Sequence, residues 1–362
     1  MSIWIILIFI AMLLVLVLVH EWGHFFVAKK AGCKVEEFGF GFPPRLLSKT
    51  WRGTLYSLNL FPIGGFVKIE GENMEELPDG EKPSQTSFAS KSAWWRIAIL
   101  SAGVIMNLLF AVVLLSVESA IGAPTLVTEK NASTLTDKKT YTVEVAKDSP
   151  AQQAGMQVYD RIVSINNVQA PSLTTVQQIT RDNAGKQIQM QLDRNGQDLS
   201  VTVTPRVNPP EGQGALGISL SETGLEKSPI YLAPIKGIER TGIMAWTILS
   251  QFGILIAKLF EHQSVGQALT GPIGIAIYTK QAVAMGLSYF LEFAAMISIN
   301  LAIINILPIP ALDGGRILFV GIEKLVGRKR TASVEQYAHT IGFIALIALM
   351  LFITFKDIHH YF

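Results

Sequence analysis

Four long apolar stretches punctuate the chain, and each is bounded by charge. Ile3 to Val19 carries none, and its helical pattern continues through Phe25 and Phe26 to Lys29. Ile97 to Val117 follows Arg96 and stops at Glu118. A third ends in Phe293 to Leu307, interrupted by Asn300 and Asn305, and the last, Thr340 to Phe355, lies between His339 and Lys356. At about 1.5 Å per helical residue each reaches across roughly 30 Å of hydrocarbon, the last with local thinning or help from its flanks. Thr241 to Phe260 is also mostly apolar, but Arg240, Thr247, Gln251 and Lys258 recur at spacings of 7, 4 and 7 as one polar stripe. With Trp246, Leu249, Phe252, Ile256 and Leu259 on the other faces, that pattern predicts an amphipathic helix lying in the membrane interface over 236–262; a fifth span is the alternative, and it would reverse the side of the basic 316–330 loop.

Between the second and third stretches the pattern changes to short alternations. Tyr141 to Val145 alternates as a strand, Ser149 and Pro150 supply a helix N-cap and first-turn residue, and Gly155 suits a helix stop. Asp160 to Ile165 leads into an Asn166-Asn167 turn; Leu173, Val176 and Ile179 space a second helix. Ile188, Met190 and Leu192 alternate, Asn195-Gly196 turns the chain, and Leu199, Val201 and Val203 alternate back. The string from Asp148 to Asn167 resembles bacterial PDZ domains. One such domain is expected within 121–210, with its core at 140–207, followed by a Pro/Gly-rich connector from Asn208 to Gly214. Before the second stretch, Thr54–Leu60 and Phe66–Ile69 flank Pro62-Ile63-Gly64-Gly65, which predicts a hairpin over 54–69; the acidic residues 70–90 read as a mobile loop. The expected fold is a polytopic α-helical membrane protein with four transmembrane helices, a membrane-associated β-hairpin and an inserted α/β PDZ domain. Residues 1–120 hold helices one and two, 211–285 the connector with its interfacial helix, and 286–362 helices three and four.

Composition supports this division. The chain is 49% hydrophobic and only 16% charged, against about a quarter charged in soluble domains. A net charge of +2 offers nothing to nucleic acid, and the single cysteine, Cys33, excludes an intrachain disulfide and a thiolate zinc cluster. Cys33 reads as an ordinary reduced cytoplasmic thiol. No basic residue precedes the first stretch and no small-residue cleavage site follows it, so it reads as an anchor. Residues 316–330 hold Arg316, Lys324, Arg328, Lys329 and Arg330 against Glu323 alone, which places that loop in the cytoplasm. Four spans then leave both termini and residues 118–285 outside, and 29–96 inside.

The first stretch ends in His20-Glu21-Trp22-Gly23-His24, an H-E-x-x-H pattern. On a helix, positions i and i+4 share a face, so both imidazoles reach one ion with Glu21 beside it. Two histidines and a glutamate at the end of an apolar span are costly unless they serve an ion or a water-filled cavity; a headgroup-facing helix end, with Glu21 paired to Lys29 or Lys30, is the plainer alternative. A catalytic zinc takes three protein ligands and leaves one position open. The best third candidate is Asp313 in the Asn305–Gly315 string, where Pro308 and Pro310 break the third span and Gly314-Gly315 lets the chain turn back. Spans one and three both run inward, so His20, His24 and Asp313 meet at one depth. The alternative for Asp313 is a turn residue capping the next helix.

HEWGH, the Gly103–Asn107 string GVIMN and NILPIPALDGG together resemble the site-2 protease family of intramembrane zinc metalloproteases. The order of elements, with GFGF at 39–42 and TGPIGIA at 270–276, is similar to the bacterial regulator-of-sigma-E protease branch. The resemblance implies that His20, His24 and Asp313 bind Zn²⁺, that Glu21 is the catalytic base, and that Asn107, Asn300 and Asn305 lie near the site. For the hairpin, with Gly64 and Gly65, it implies a membrane-reentrant element whose edge pairs with extended substrate. The implied partners are single-pass membrane proteins in the bilayer of a bacterial inner (plasma) membrane, such as an anti-sigma factor or remnant signal peptide. The PDZ domain would bind an exposed C-terminus or exclude bulky ectodomains. One departure stands out: the best-known members of that branch carry two tandem PDZ domains, and here one is found. The rival from another class is a noncatalytic membrane-anchored PDZ scaffold.

Overall fold

The computed structural model describes residues 2–72, 83–194, 196–261 and 270–361, so 73–82 of the expected 70–90 loop and Asn195 of the expected turn lie outside the described residues. The chain divides into two compact units, one of Met1–Ser116, Pro234–Thr279 and Leu291–Phe362, the other of Val117–Ala233 and Lys280–Phe290.

Long helices dominate the first unit: α1 (Ile3–Lys30), α2 (Ala93–Ile121, which ends in the second unit), α5 (Ala233–Phe260), α6 (Pro272–Met285), α7 (Leu287–Ile306), α8 (Asp313–Val326) and α9 (Arg328–Tyr361). By length and composition five are apolar enough to cross a membrane: α1, α2, α5, α7 and α9 over Val334–His359. Four coincide with the expected spans. The fifth, α5, has the lowest mean hydropathy of the set, 1.3 against 3.1 for α1. Met244, Ala245, Ile248 and Phe252 on α5 pack against a buried group formed by Ala111 and Leu115 of α2 and Ala295, Ile299 and Ile303 of α7. Gly237 permits the closest approach, since a methyl there would run into Ser116 and the Val112 carbonyl of α2. Arg240, from the expected polar stripe, pairs with Glu292 of α7 at 3.2 Å.

The hairpin differs from its expected pairing. Thr54–Leu60 and Phe66–Ile69 belong to one bent strand, β2 (Thr54–Ile69), and a strand not anticipated, β1 (Val35–Trp51), lies between them. Phe38 of β1 pairs with both Val67 and Tyr56, and Gly39 with both Phe66 and Ser57. The tight turn is Trp51–Thr54, with Arg52 and Gly53 in the left-handed region, not Pro62–Gly65. Two glycines and two prolines in GFGFPP weaken the strand signal of β1. Gly39 has a use there, because a methyl at that position would overlap the ring of Phe66.

In the second unit the order is β3 (Ala123–Leu126), β4 (Thr136–Val145), α3 (Pro150–Gln153), β5 (Arg161–Ile165), β6 (Val168–Gln169), α4 (Leu173–Asp182), β7 (Ile188–Arg194), β8 (Gln197–Val203) and β9 (Ile218–Glu226). The sheet runs β3-β9-β4-β5-β7-β8, with β6 paired to β5. Ser149 caps α3, its hydroxyl accepting from the Gln152 amide at 3.1 Å, and Asn166-Asn167 turns with both φ positive. Ile162, Ile165, Val176, Ile188, Met190, Leu192 and Val203 make the core, each fully buried aliphatic contributing about 1.5–3 kcal/mol. β9 was expected as connector; it pairs with β4 from Val145↔Ile218 to Thr136↔Leu225, and Leu216 just before it joins the core.

One buried charge organises this unit. Asp160 is fully buried and accepts from Arg194 Nε at 2.7 Å, Arg194 Nη2 at 2.8 Å and the Gln157 amide at 2.8 Å; the carboxylate holds the guanidinium pKa above its ordinary value. Arg194→Ala strands that carboxylate, at an expected cost of about 3–5 kcal/mol. Limited proteolysis of the full chain should show faster cutting within 140–207, and an unchanged digestion rate would show that water replaces the guanidinium.

Candidate metal centre

α1 delivers His20 and His24 one turn apart, both largely buried. Their burial depends on glycine. A methyl at Gly23 would meet Met106 and the Ala102 backbone, and a methyl at Gly103 would land on both imidazoles, so α2 crosses α1 at near contact with the two rings. That approach supplies partners for the ring nitrogens facing away from each other. His24 Nδ1 donates to the Ile99 carbonyl at 2.8 Å. Asn107, fully buried, places its carboxamide 3.4 Å from His20 Nδ1. The Asn107 oxygen has no other partner among the described residues; amide orientation is assigned from the hydrogen-bond network, and turning that oxygen toward His20 Nδ1–H satisfies both groups. Ser298 of α7 donates to the Asn107 backbone carbonyl at 2.8 Å and fixes α2 against α7 at this level.

With a proton on each Nδ1, both Nε2 atoms carry lone pairs, and they face one another at 3.1 Å. Asp313 Oδ2 completes the group, 3.1 Å from His20 Nε2 and 3.4 Å from His24 Nε2. Three lone-pair donors held this closely repel one another. One proton serves two of them; a cation serves all three. A tetrahedral zinc with bonds of roughly 2.0–2.1 Å sets its ligand atoms about 3.3 Å apart, so the spacing fits. These three form the only cluster of histidine, cysteine and carboxylate residues among those described that could hold a metal ion. Asp313 does not cap α8: the cap position is Leu312, and no side chain caps that helix. Gly314 and Gly315 let the start of α8 fold onto the end of α7, since methyls there would overlap the carbonyls of Ile306 and Ile309.

Glu21 lies beside the cluster, half-buried. Gly65 of β2 packs against the same α1 face: a methyl there would touch Leu18 and sit 3.7 Å from Glu21 Cγ. Gly64, at φ +99°, makes the bend before it. The asparagines differ. Asn107 is at the site. Asn300 spends its amide on the Met296 carbonyl of its own helix at 2.9 Å, whereas the Asn305 side chain makes no hydrogen bond among the described residues. The Ile99 carbonyl had no sequence signal, because every residue carries one. Gly23 sits inside the H-E-x-x-H string and Gly103 heads the GVIMN string; small residues on helices that cross are the signal for such close contact.

The site thus brings two histidines of an H-E-x-x-H helix and one carboxylate together in a set that could hold a metal ion. Residues 8–349 match the model of peptidase family M50, and the chain belongs to that family. It is 32% identical to the zinc metalloprotease RasP of Oceanobacillus iheyensis, over 98% of this chain and 98% of that protein. A putative zinc metalloprotease of Clostridium acetobutylicum is also 32% identical, over 95% and 94%, and the regulator of sigma-E protease RseP of Escherichia coli is 28% identical over 96% and 97%. The chain is therefore a site-2-type zinc metalloprotease, with Zn²⁺ as its cofactor. The Escherichia coli alignment runs over 443 positions, longer than the 362 residues of this chain, so at least 81 of them face no residue here; the Clostridium alignment runs over 347.

Proposed function

We propose that the protein cleaves peptide bonds within the transmembrane segment of single-pass membrane proteins, in a bacterial inner (plasma) membrane. The observation that carries this is the convergence of His20, His24 and Asp313 within a bundle of apolar helices, with Glu21 and the end of β2 beside them. His20, His24 and Asp313 are the zinc ligands. A zinc ion held there supplies Lewis acidity, polarising a carbonyl oxygen and acidifying water. Glu21 takes the proton from the attacking water and passes it to the departing amine nitrogen. Ile99 and Asn107 keep both imidazoles in the tautomer that leaves Nε2 free.

A helical substrate has its peptide bonds shielded and must be extended before attack. Residues 65–69 pair with β1 on one side only, and their other edge has no partner strand among the described residues. That edge, reached through Gly64 and Gly65, receives the extended segment and replaces the hydrogen bonds it lost. Asn305 offers further donors and acceptors to it; Asn300 is the weaker candidate.

Parity supports four spans. His20 and His24 lie toward the C-terminal end of α1, and Asp313 opens α8 just past the C-terminal end of α7, so with all three at one centre α1 and α7 run in the same direction and one return crossing lies between them. α2 provides it. α5 as a further complete crossing would reverse α7 unless α6 returned, and α6 has 14 residues, about 21 Å of helix. The basic 316–330 segment, which is the body of α8 and the first residues of α9, then faces the cytoplasm. Residues 140–207 form a single extracytoplasmic PDZ domain, a reading favoured by the unmatched positions in the RseP alignment.

The test is co-expression of the intact chain or Glu21→Gln with tagged single-pass membrane proteins truncated outside the membrane. Cleavage by the intact chain alone, with zinc retained in the variant, is the expected result. Equal substrate levels with both, together with cleavage of a soluble peptide by the intact chain, would overturn the intramembrane reading.

A further inference from the structure

We propose that His339, on α9, is a positioning residue for Asp313: its imidazole holds the turn that aims the carboxylate at the two histidines. This rests on the reading of Asp313 as a zinc ligand. Between the end of α7 and the start of α8 the chain makes an irregular turn through Leu307–Leu312, with Ile309 donating to the Leu307 carbonyl and Leu312 to that of Ile309. Within it Ala311 sits at φ +77°, a left-handed conformation that a residue with a Cβ disfavours. Such a conformation persists where its surroundings determine it. Here they are two contacts from α9. The Ala311 N–H donates to His339 Nδ1 at 2.7 Å, and one turn further on Gly342 lets α9 lie against Pro310, where a methyl would be 2.6 Å from the Pro310 carbonyl.

The His339 hydrogen bond fixes the imidazole's own tautomer. Nδ1 accepts, so the proton is on Nε2, which is buried, has no hydrogen-bond partner among the described residues and lies 3.9 Å from Glu335 Oε1. Phe319 of α8 packs beside the ring, 5.7 Å between centroids. The imidazole therefore touches the turn before Asp313 and the helix after it. Arg316, three residues before Phe319 on the same face of α8, pairs with Glu72. Asp313 lies two residues after Ala311, so rotation of the 311 peptide redirects the carboxylate. A second group that orients a metal ligand acts on metal affinity by about 10–100-fold.

The experiment measures zinc loss to a chelator from the full-length chain purified in detergent. His339→Leu removes the acceptor, and zinc should leave about 10–100-fold more readily. His339→Asn places Oδ1 where Nδ1 stood and should stay within about threefold of the native chain. Adding Ala311→Gly to His339→Leu should restore most of the retention, because glycine occupies the left-handed region without a clamp. His339→Gln, whose acceptor is one carbon too far, should lose zinc as the leucine variant does, and decides the matter where the leucine variant is not monodisperse. Native retention in His339→Leu, equal losses in the Asn and Gln variants, or no recovery in the double variant would each overturn the proposal. Asp313→Asn is run alongside: if it keeps zinc as the native chain does, the ligand assignment has failed, whatever His339 does.

Discussion

Asp313→Asn should empty the metal centre while leaving the helices in place. The purified native chain is expected to hold about one zinc, as a three-ligand catalytic set does, and the variant less than about a tenth of that. The reason is electrostatic. The native centre sets one negative charge against a divalent cation, and a carboxamide presents a neutral, weaker donor from the same position. Cleavage should fall on the order of 10³-fold, since losing the ion removes several kcal/mol of transition-state charge stabilisation. Asp313→Glu keeps the charge but moves it one carbon further, and should retain zinc partly. Zinc analysis of both variants, beside Glu21→Gln, separates the roles: Glu21→Gln should keep its metal and lose cleavage by about 10²–10⁴-fold, the range for a missing general base. Full zinc in Asp313→Asn would return Asp313 to being a turn residue.

The convergence of His20, His24 and Asp313 was legible in the sequence because helical periodicity alone places His20 over His24, and the broken end of α7 offered one carboxylate at the same depth. Local rules also gave α3, α4 and the β7–β8 pairing, where caps, turns and alternation agree. What escaped was non-local. β1 is 17 residues long, but Gly39, Gly41, Pro43 and Pro44 contradict strand propensity, and only its place between the two arms of β2 makes it a strand. β9 follows a Pro/Gly-rich connector, and its partner β4 lies more than 70 residues earlier in sequence. The polar stripe of α5 was visible; the pairing of Arg240 with Glu292 and the packing of Met244 and Phe252 on α2 and α7 were not. Asn300 and Asn305 looked alike in sequence. They separate only when Asn300 is seen bonded to Met296, a contact that any intrahelical i−4 carbonyl offers.

Gly103→Ala should be nearly as damaging as loss of a ligand, although it adds one methyl group and no charge. The Cβ of that residue falls on His24 Nε2 and on Cε1 and Nε2 of His20, the atoms that face the metal position. Neither ring can yield on its own. His24 is tied to the Ile99 carbonyl and His20 to Asn107, both on the helix that carries Gly103. Either α2 moves away and breaks both tethers, or the rings rotate and their lone pairs no longer converge. Overpacking of this kind costs about 1–3 kcal/mol of stability, modest beside its effect on the site, where displacement of about 1 Å lowers a rate by roughly 10²-fold. Cleavage should therefore drop at least about 10²-fold with the chain still folded, and zinc retention should fall with it. Gly242→Ala on α5 is the matched control: a methyl there meets nothing within 4 Å, and alanine is the better helix former. Its activity and zinc content should be native. If Gly103→Ala matches that control in both, α2 does not press on the imidazoles, and the tautomers of His20 and His24 are set by something other than Ile99 and Asn107.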